Sequence, residues 1–239
     1  MNTSLQLTMR PSLLAVAVAL SMSAHAALAQ TTTIGAALTT SVGPLTRNSA
    51  GFQTVGQSFV VPSLTPLLSS FSLTFSNFNE GGTLRFDAYL YAFDAANRRI
   101  AGSALWQALN SAGSANDFGF DTRLFNLGNL TLSPSATYMF LVTTSNLGTT
   151  IPEDAANLLG GNDTNGYAGG ALWTASSGID VSLLFNTGAF SAVDGVTDAN
   201  FSAVFTAAAT VVPEPATVWL TGSGLALLAV AAVRRRGQA

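Results

Sequence analysis

Residues 83–93 read TLRFDAYLYAF, and their alternation decides the fold. Leu84, Phe86, Ala88, Leu90 and Ala92 fall on one side of an extended chain, and Arg85, Asp87, Tyr89, Tyr91 and Phe93 on the other. A period of two belongs to a strand, whose successive side chains point to opposite faces. DAANRR (94–99) then supplies turn residues and IAGSALW resumes an extended run, the pattern of a hairpin or meander.

Working outward, short runs of the same kind recur: QSFVV (57–61), LLSSFSLTF (67–75), DFGFDTRLF (117–125), ATYMFLVTT (136–144), DVSLLF (180–185) and FSAVFTAAAT (201–210). Each is bounded by Gly, Pro, Asn or Ser. Many short strands so punctuated predict an all-β fold, an antiparallel β-sandwich of jelly-roll type. A parallel α/β sheet is disfavoured, because no amphipathic helix of about 10–15 residues separates the strands. One short helix is predicted over 152–159 (PEDAANLL), with Pro152 at its first position, Glu153 and Asp154 at its positive end and Gly160 closing it. GGNDTNGYAGG (160–170) reads as a loop.

The two ends read differently. Before Leu13–Leu20 (LLAVAVAL) the only charge is Arg10, and the small-residue triplets Ala24-His25-Ala26 and Ala27-Leu28-Ala29 follow. Charge, apolar run and A-x-A site in that order predict a signal peptide over residues 1–29, cleaved after Ala29 or, alternatively, after Ala26. At the other end, the tail 211–239 holds 18 uncharged residues, Ala216 to Val233. As a helix they span roughly 27 Å, just enough for one transmembrane crossing. Arg234, Arg235 and Arg236 follow at once and belong on the cytoplasmic side. Between these segments, residues 30–210 suit a single ectodomain.

Composition narrows the chemistry. The body holds five arginines, no lysine and eleven carboxylates, a net charge of −6. That is no footprint for nucleic acid or anionic lipid. The chain has no Cys and a single His, His25, within the signal segment. Ser-His-Asp and Cys-His catalysis and His- or Cys-ligated metals are therefore excluded from the body. A glycan hydrolase needs two carboxylates roughly 5–10 Å apart. Asp87, Asp94, Asp117, Asp121, Glu153 and Asp154 are available, and nothing in the sequence pairs them. No cofactor is implied. Oxygen ligands for a structural calcium could come from Asn162, Asp163 and Asn165, or from Asp194 and Asp198. Neither group completes an EF-hand loop, and the same residues are ordinary turn content. Among the aromatics, Trp106 and Trp173 read as core. Tyr89 and Tyr91 share a face with Arg85 and Asp87, which makes them the candidate ligand face for a sugar ring.

Pro213-Glu214-Pro215 precedes the apolar run, and its two prolines hold the backbone extended. VPEPATVWLTGSGLALLAVAAVRRRG, about 26 residues, resembles the PEP-CTERM sorting signal: Pro-Glu-Pro, a short hydrophobic helix and a terminal Arg cluster, in that order. Pro213, Glu214 and Pro215 match the signature, and Arg234, Arg235 and Arg236 its basic end. The resemblance implies recognition by an exosortase, a membrane transpeptidase-like enzyme that removes the tail, in a bacterium making exopolysaccharide or biofilm. GQSFVVP and LRFDAYLYAFDAANRRIAGSALW are similar, more weakly, to jelly-roll ectodomains found with such tails. That likeness implies a fold and a surface location, and no activity.

The expectation is an exported, non-enzymatic surface or matrix protein. It is held first in the inner membrane with its ectodomain outside the cytoplasm, and extracellular polysaccharide is a candidate partner. The alternatives are a carbohydrate-binding module of the same fold and a carboxylate-based glycan hydrolase.

Overall fold

The computed structural model describes residues 30–46, 52–77, 84–114, 119–147, 156–175 and 180–208. All lie within one compact unit, Ala29–Thr210. Its strands are β1 (Thr31–Ala36), β2 (Thr40–Thr46), β3 (Thr54–Val60), β4 (Leu67–Asn77), β5 (Arg85–Asp94), β6 (Arg99–Ala112) and β7 (Asp121–Thr131). They continue with β8 (Thr137–Thr143), β9 (Ala156–Asn162), β10 (Leu172–Ala175), β11 (Ser191–Ala192), β12 (Asp198–Ala199) and β13 (Phe201–Thr206). The first sheet runs β1-β13-β4-β9-β12, with β7 added on β4 and β2 on β9; the second runs β11-β10-β3-β8-β5-β6. The pairings within both are antiparallel, so the chain is an all-β antiparallel sandwich, consistent with a jelly-roll-like fold.

The inward rows meet in an aromatic core. Phe71 of the first sheet stacks on Phe140 of the second at 4.3 Å between centroids, Phe59 meets Phe205 edge-on at 6.0 Å, and Trp106 meets Phe125 at 6.0 Å. Such pairs add about 0.5–1.5 kcal/mol each beyond the area they bury.

β5 forms as its alternation predicts, but both of its faces are covered. Leu84, Phe86, Ala88 and Leu90 enter the core between the sheets. Tyr89, Tyr91 and Phe93 enter a second cluster with Met139, Leu141, Leu184 and Phe190 on the outer side of the second sheet. The cover includes Val181–Phe185, which the sequence reading gave as a strand and which is a 3₁₀ helix. Its buried residues, Val181 and Leu184, are three apart, the repeat of a 3₁₀ turn rather than of a strand. Asp180 caps it by accepting the Ser182 N–H at 2.8 Å.

The helix predicted over 152–159 is also corrected. Residues 152–155 lie outside the described set, and from Ala156 the chain is strand β9. An isolated helix so short is unstable in water. β9 instead gains partners on both sides, Pro44–Thr46 on one and Phe75–Asn77 on the other. Gly160, Gly161 and Asn162, read as loop, belong to this strand. A Cβ on Gly161 would press Val196 at 2.8 Å and Val42 at 3.0 Å, so glycine there serves close packing.

The register fixes which turns share an end. Thr31 and Leu67 both oppose Thr206, and Leu67 also opposes Thr131. In the other sheet Val60 opposes Thr137 and Ala92 opposes Tyr138. Val61 N–H donates to Ala136 O and Leu132 N–H to Pro66 O, each at 3.0 Å. Turns 61–66, 132–136 and 95–98 therefore lie at the end where β1 begins and β13 stops. There Ala207 N–H donates to Gln30 O at 2.8 Å, so the chain enters and leaves the body side by side.

Candidate functional site

The tyrosine face expected to meet a ligand is enclosed. Tyr89 and Tyr91 are 7% and 6% exposed, and Phe185 packs edge-on against Tyr91 at 5.7 Å. The reading of this row as solvent-facing is corrected: the segment after β10 folds back over it, which alternation within one strand cannot reveal. Tyr89 donates its hydroxyl to Asp87 Oδ2 at 3.2 Å and accepts from Asn146 Nδ2 at 3.1 Å. Asp87, itself buried, accepts the Asn110 N–H at 2.8 Å. Asn110 has φ 53° in the irregular stretch where β6 gains a residue against β5. The Asp87 carboxylate thus satisfies a bulge that breaks the ladder. Burial pushes both phenols above their ordinary value of 10.0; at Tyr89 the Asn146 hydrogen bond offsets part of this and the Asp87 charge adds to it. Trp106 packs on the core between the sheets and Trp173 on the outer cluster.

Of the candidate calcium ligands, the side chains of Asn162, Asp163 and Asp198 are engaged by hydrogen bonds within the fold. Asn162 Oδ1 accepts from Thr164 N–H, Thr164 Oγ1 and Gly166 N–H, each at 3.0 Å, while its amide donates to Ala37 O at 2.8 Å. Asp163 Oδ1 accepts from Thr39 Oγ1 at 2.8 Å, and Asn165 donates its backbone N–H to Thr197 Oγ1 at 2.9 Å. Asp194 is exposed. Asp198 is fully buried and bonds Gln57, Tyr167 and Thr197. Among the described residues no three His, Cys, Asp or Glu gather as a metal site.

The remaining described carboxylates serve separate turns. Asp94 holds Asn97 by side chain and backbone and pairs with Arg99 at 3.3 Å. The Asn97 bonds, more than Arg99, lower its carboxyl below the ordinary value. Asp121 accepts from Ser114 Oγ at 2.8 Å. Asp117, Glu153 and Asp154 lie outside the described residues.

A surface the sequence reading missed is the outer side of the first sheet. The registers align Thr33, Val204, Ser70 and Asn126 in one row and Gly35, Ser202, Ser72 and Leu124 in the next, with Thr74 beside Thr122. These rows carry no charge; Leu124 is 72% exposed and Thr33, Thr122 and Asn126 are exposed, while the central Ser72 and Thr74 are buried. β1, the strand that widens this face, reads TTTIGA. The alternation of Thr31 and Thr33 with Ile34 was its one available signal, and the pairing of four strands was needed to make it a surface.

What the fold defines is an all-β sandwich whose two ends emerge together. Beyond it, residues 211–236 match the PEP-CTERM protein-sorting motif. The motif implies exosortase-dependent sorting, with export to a surface or membrane-anchored location, and it fits a C-terminal transmembrane region. No curated protein and no solved structure matches the chain. Pro213, Glu214, Pro215, Arg234, Arg235, Arg236 and the span 216–233 lie outside the described residues, as does the signal segment 1–29. Among the described residues no helix is long and apolar enough to cross a membrane.

Proposed function

We propose that this is an exported, non-enzymatic surface or extracellular-matrix protein. A cleaved signal peptide exports its sandwich, and exosortase releases that sandwich from a transient anchor. The observation that carries the reading is the sorting motif at residues 211–236. Composition supports the non-enzymatic part: the body has neither His nor Cys, and each described carboxylate is either committed to a turn or a buried contact or stands alone. The role in the matrix is association with exopolysaccharide. The test is expression in a bacterium with and without its exosortase, followed by intact mass of the protein. Loss of the enzyme should leave the full tail in the membrane fraction; identical products from both strains would refute the reading.

A second reading, a carbohydrate-binding module, is favoured by the uncharged rows on the first sheet, where Thr33, Thr122, Leu124 and Asn126 are exposed. With Tyr89 and Tyr91 enclosed, these rows are its candidate contact surface for a neutral glycan. Leu124→Lys and Thr122→Lys would place charge there without touching the core. Pull-down on insoluble neutral glycans should be weakened by both, and wild-type levels in both would remove this surface from consideration.

A further inference from the structure

We propose that β1 is an assembly edge. Two copies of this chain join their β1 strands antiparallel about a two-fold axis at Thr33, so that the first sheet of one continues into the first sheet of the other. The proposal concerns the sandwich alone and stands whether or not the tail is processed.

An edge strand offers a row of unpaired backbone groups to any passing chain, and folded proteins guard such edges with proline, bulges, inward charges or brevity. The described edges of this sandwich are guarded in those ways, with one exception. β2 contains Pro44, bulges between Ser41 and Pro44, and has Phe52 bonded along its outer side. β6 loses register twice against β5 and takes positive φ at Gly102 and Asn110. β7 carries Asp121 and Arg123 on the same side as buried Phe125 and is interrupted at Gly128 and Asn129, both at positive φ. β11 and β12 have two residues each. β1 has none of these devices. Its six residues, TTTIGA, hold no charge and no proline, and they pair with β13 from Thr31–Thr206 to Ala36–Phe201 without a break. Three threonines and an isoleucine, all β-branched, favour the extended backbone. Among the described strands, none pairs with the other side of β1.

The occupant is a second copy because the strand is complementary to itself. A two-fold axis perpendicular to the sheet makes the pair antiparallel and isologous. With Thr33 opposite the partner's Thr33, Thr31 opposes the partner's Gly35. Ile34, half-buried and packed against the core, opposes the partner's Thr32. Thr33 and Ile34 each gain a β-branched cross-strand neighbour, and no opposed position sets like charges together. The body carries a net charge of −6, so copies repel elsewhere and a neutral edge is where they can close. The seam is short. The opposed residues Thr31–Gly35 span about 17 Å at roughly 3.4 Å each, less than the about 800 Å² per partner of a stable interface requires. The pairing is therefore weak and concentration-dependent. With one such edge on each copy, it closes as a dimer and does not grow into a filament.

The full chain is purified in mild detergent, so that the test is the same with the tail kept or removed. Sedimentation velocity follows the molecular mass with rising concentration for wild type, Thr33→Lys and Thr122→Lys, and thermal unfolding checks the fold of each. Thr33→Lys sets lysine against lysine at the axis, whereas Thr122→Lys places the same charge at an exposed site on β7. Wild type and Thr122→Lys should pass from monomer to dimer together, and Thr33→Lys should need about tenfold more protein. The chain has no Cys, so single cysteines report without background. Thr33→Cys should oxidise to a disulfide-linked dimer, because opposed antiparallel residues lie within disulfide reach, and Thr122→Cys should not. A wild type that stays monomeric at every concentration overturns the proposal. So does a dimer that Thr33→Lys leaves unchanged, which means that the copies join elsewhere or exchange β1. Equal cross-linking at positions 33 and 122 overturns it as well.

Discussion

Gln57 and Asp198 meet across the sandwich. Gln57 Nε2 donates to Asp198 Oδ1 at 3.0 Å, and Gln57 Oε1 accepts the Ala199 N–H at 2.7 Å. Gln57 lies on β3 of the second sheet and Asp198 on β12 of the first; both are buried. The other carboxylate oxygen accepts from Tyr167 N–H at 3.2 Å and Thr197 Oγ1 at 3.4 Å. A buried polar group is tolerated when its partners are complete, and this one joins the two sheets directly.

Asp198→Asn should therefore not be conservative. Whichever oxygen the amide nitrogen replaces, a donor then faces a donor, from Gln57 or from Tyr167. Gln57→Leu orphans the Ala199 N–H and removes a partner of Asp198. Each variant should lose about 1–3 kcal/mol per unpaired buried group, read as a lower urea midpoint with an unchanged slope. A midpoint equal to wild type in both would show that the contact does not hold the sheets.

Alkaline pH should weaken the fold through its buried phenols. Tyr89, Tyr91 and Tyr167 are each raised above 10.0, chiefly by burial, so the folded state keeps its phenolic protons longer than the unfolded chain. Their contribution to stability is complete below pH of about 10 and is lost as pH rises through the folded-state values. Tyr91→Phe removes one such group and should shift alkaline unfolding to higher pH. Circular dichroism and the tyrosinate absorbance band, followed together, measure this; tyrosinate formation well before unfolding would contradict the enclosure.

Gly170 is fixed by a close approach. A Cβ there would land on the Ser58 carbonyl oxygen, and Ser58 is tied to the same segment: its N–H donates to Ala171 O at 2.9 Å and its Oγ accepts from the Trp173 indole N–H at 3.0 Å. Gly170→Ala should cost about 1–3 kcal/mol, the range for overpacking. It should also speed hydrogen exchange at the Ser58 and Leu172 amides relative to the rest of β3 and β10. Unchanged exchange would mean that the backbone yields without loss.

The sequence made some elements plain and hid others for identifiable reasons. β4, β5, β8 and β13 carry strong apolar runs that suffice locally. β2 contains Pro44 and two glycine or serine positions, which weaken any local strand signal, and it forms because β9 supplies a partner. DVSLLF reads as a short apolar run, while the three-residue spacing of Val181 and Leu184 wraps a 3₁₀ turn over the second sheet. The same cover encloses Tyr89 and Tyr91. Faces made of several strands, such as the Thr33–Val204–Ser70–Asn126 row, depend on register between distant segments, which no single run encodes. The sorting motif was legible because its chemistry is contiguous.

That motif gives the most direct test of the account. Intact mass of the protein recovered from the surface fraction should show a form lacking the C-terminal tail in wild type. Glu214→Ala, which keeps the apolar run and the three arginines, should yield the full-length chain in the membrane fraction. A tail-less product of the same mass from Glu214→Ala would contradict recognition through Pro213-Glu214-Pro215.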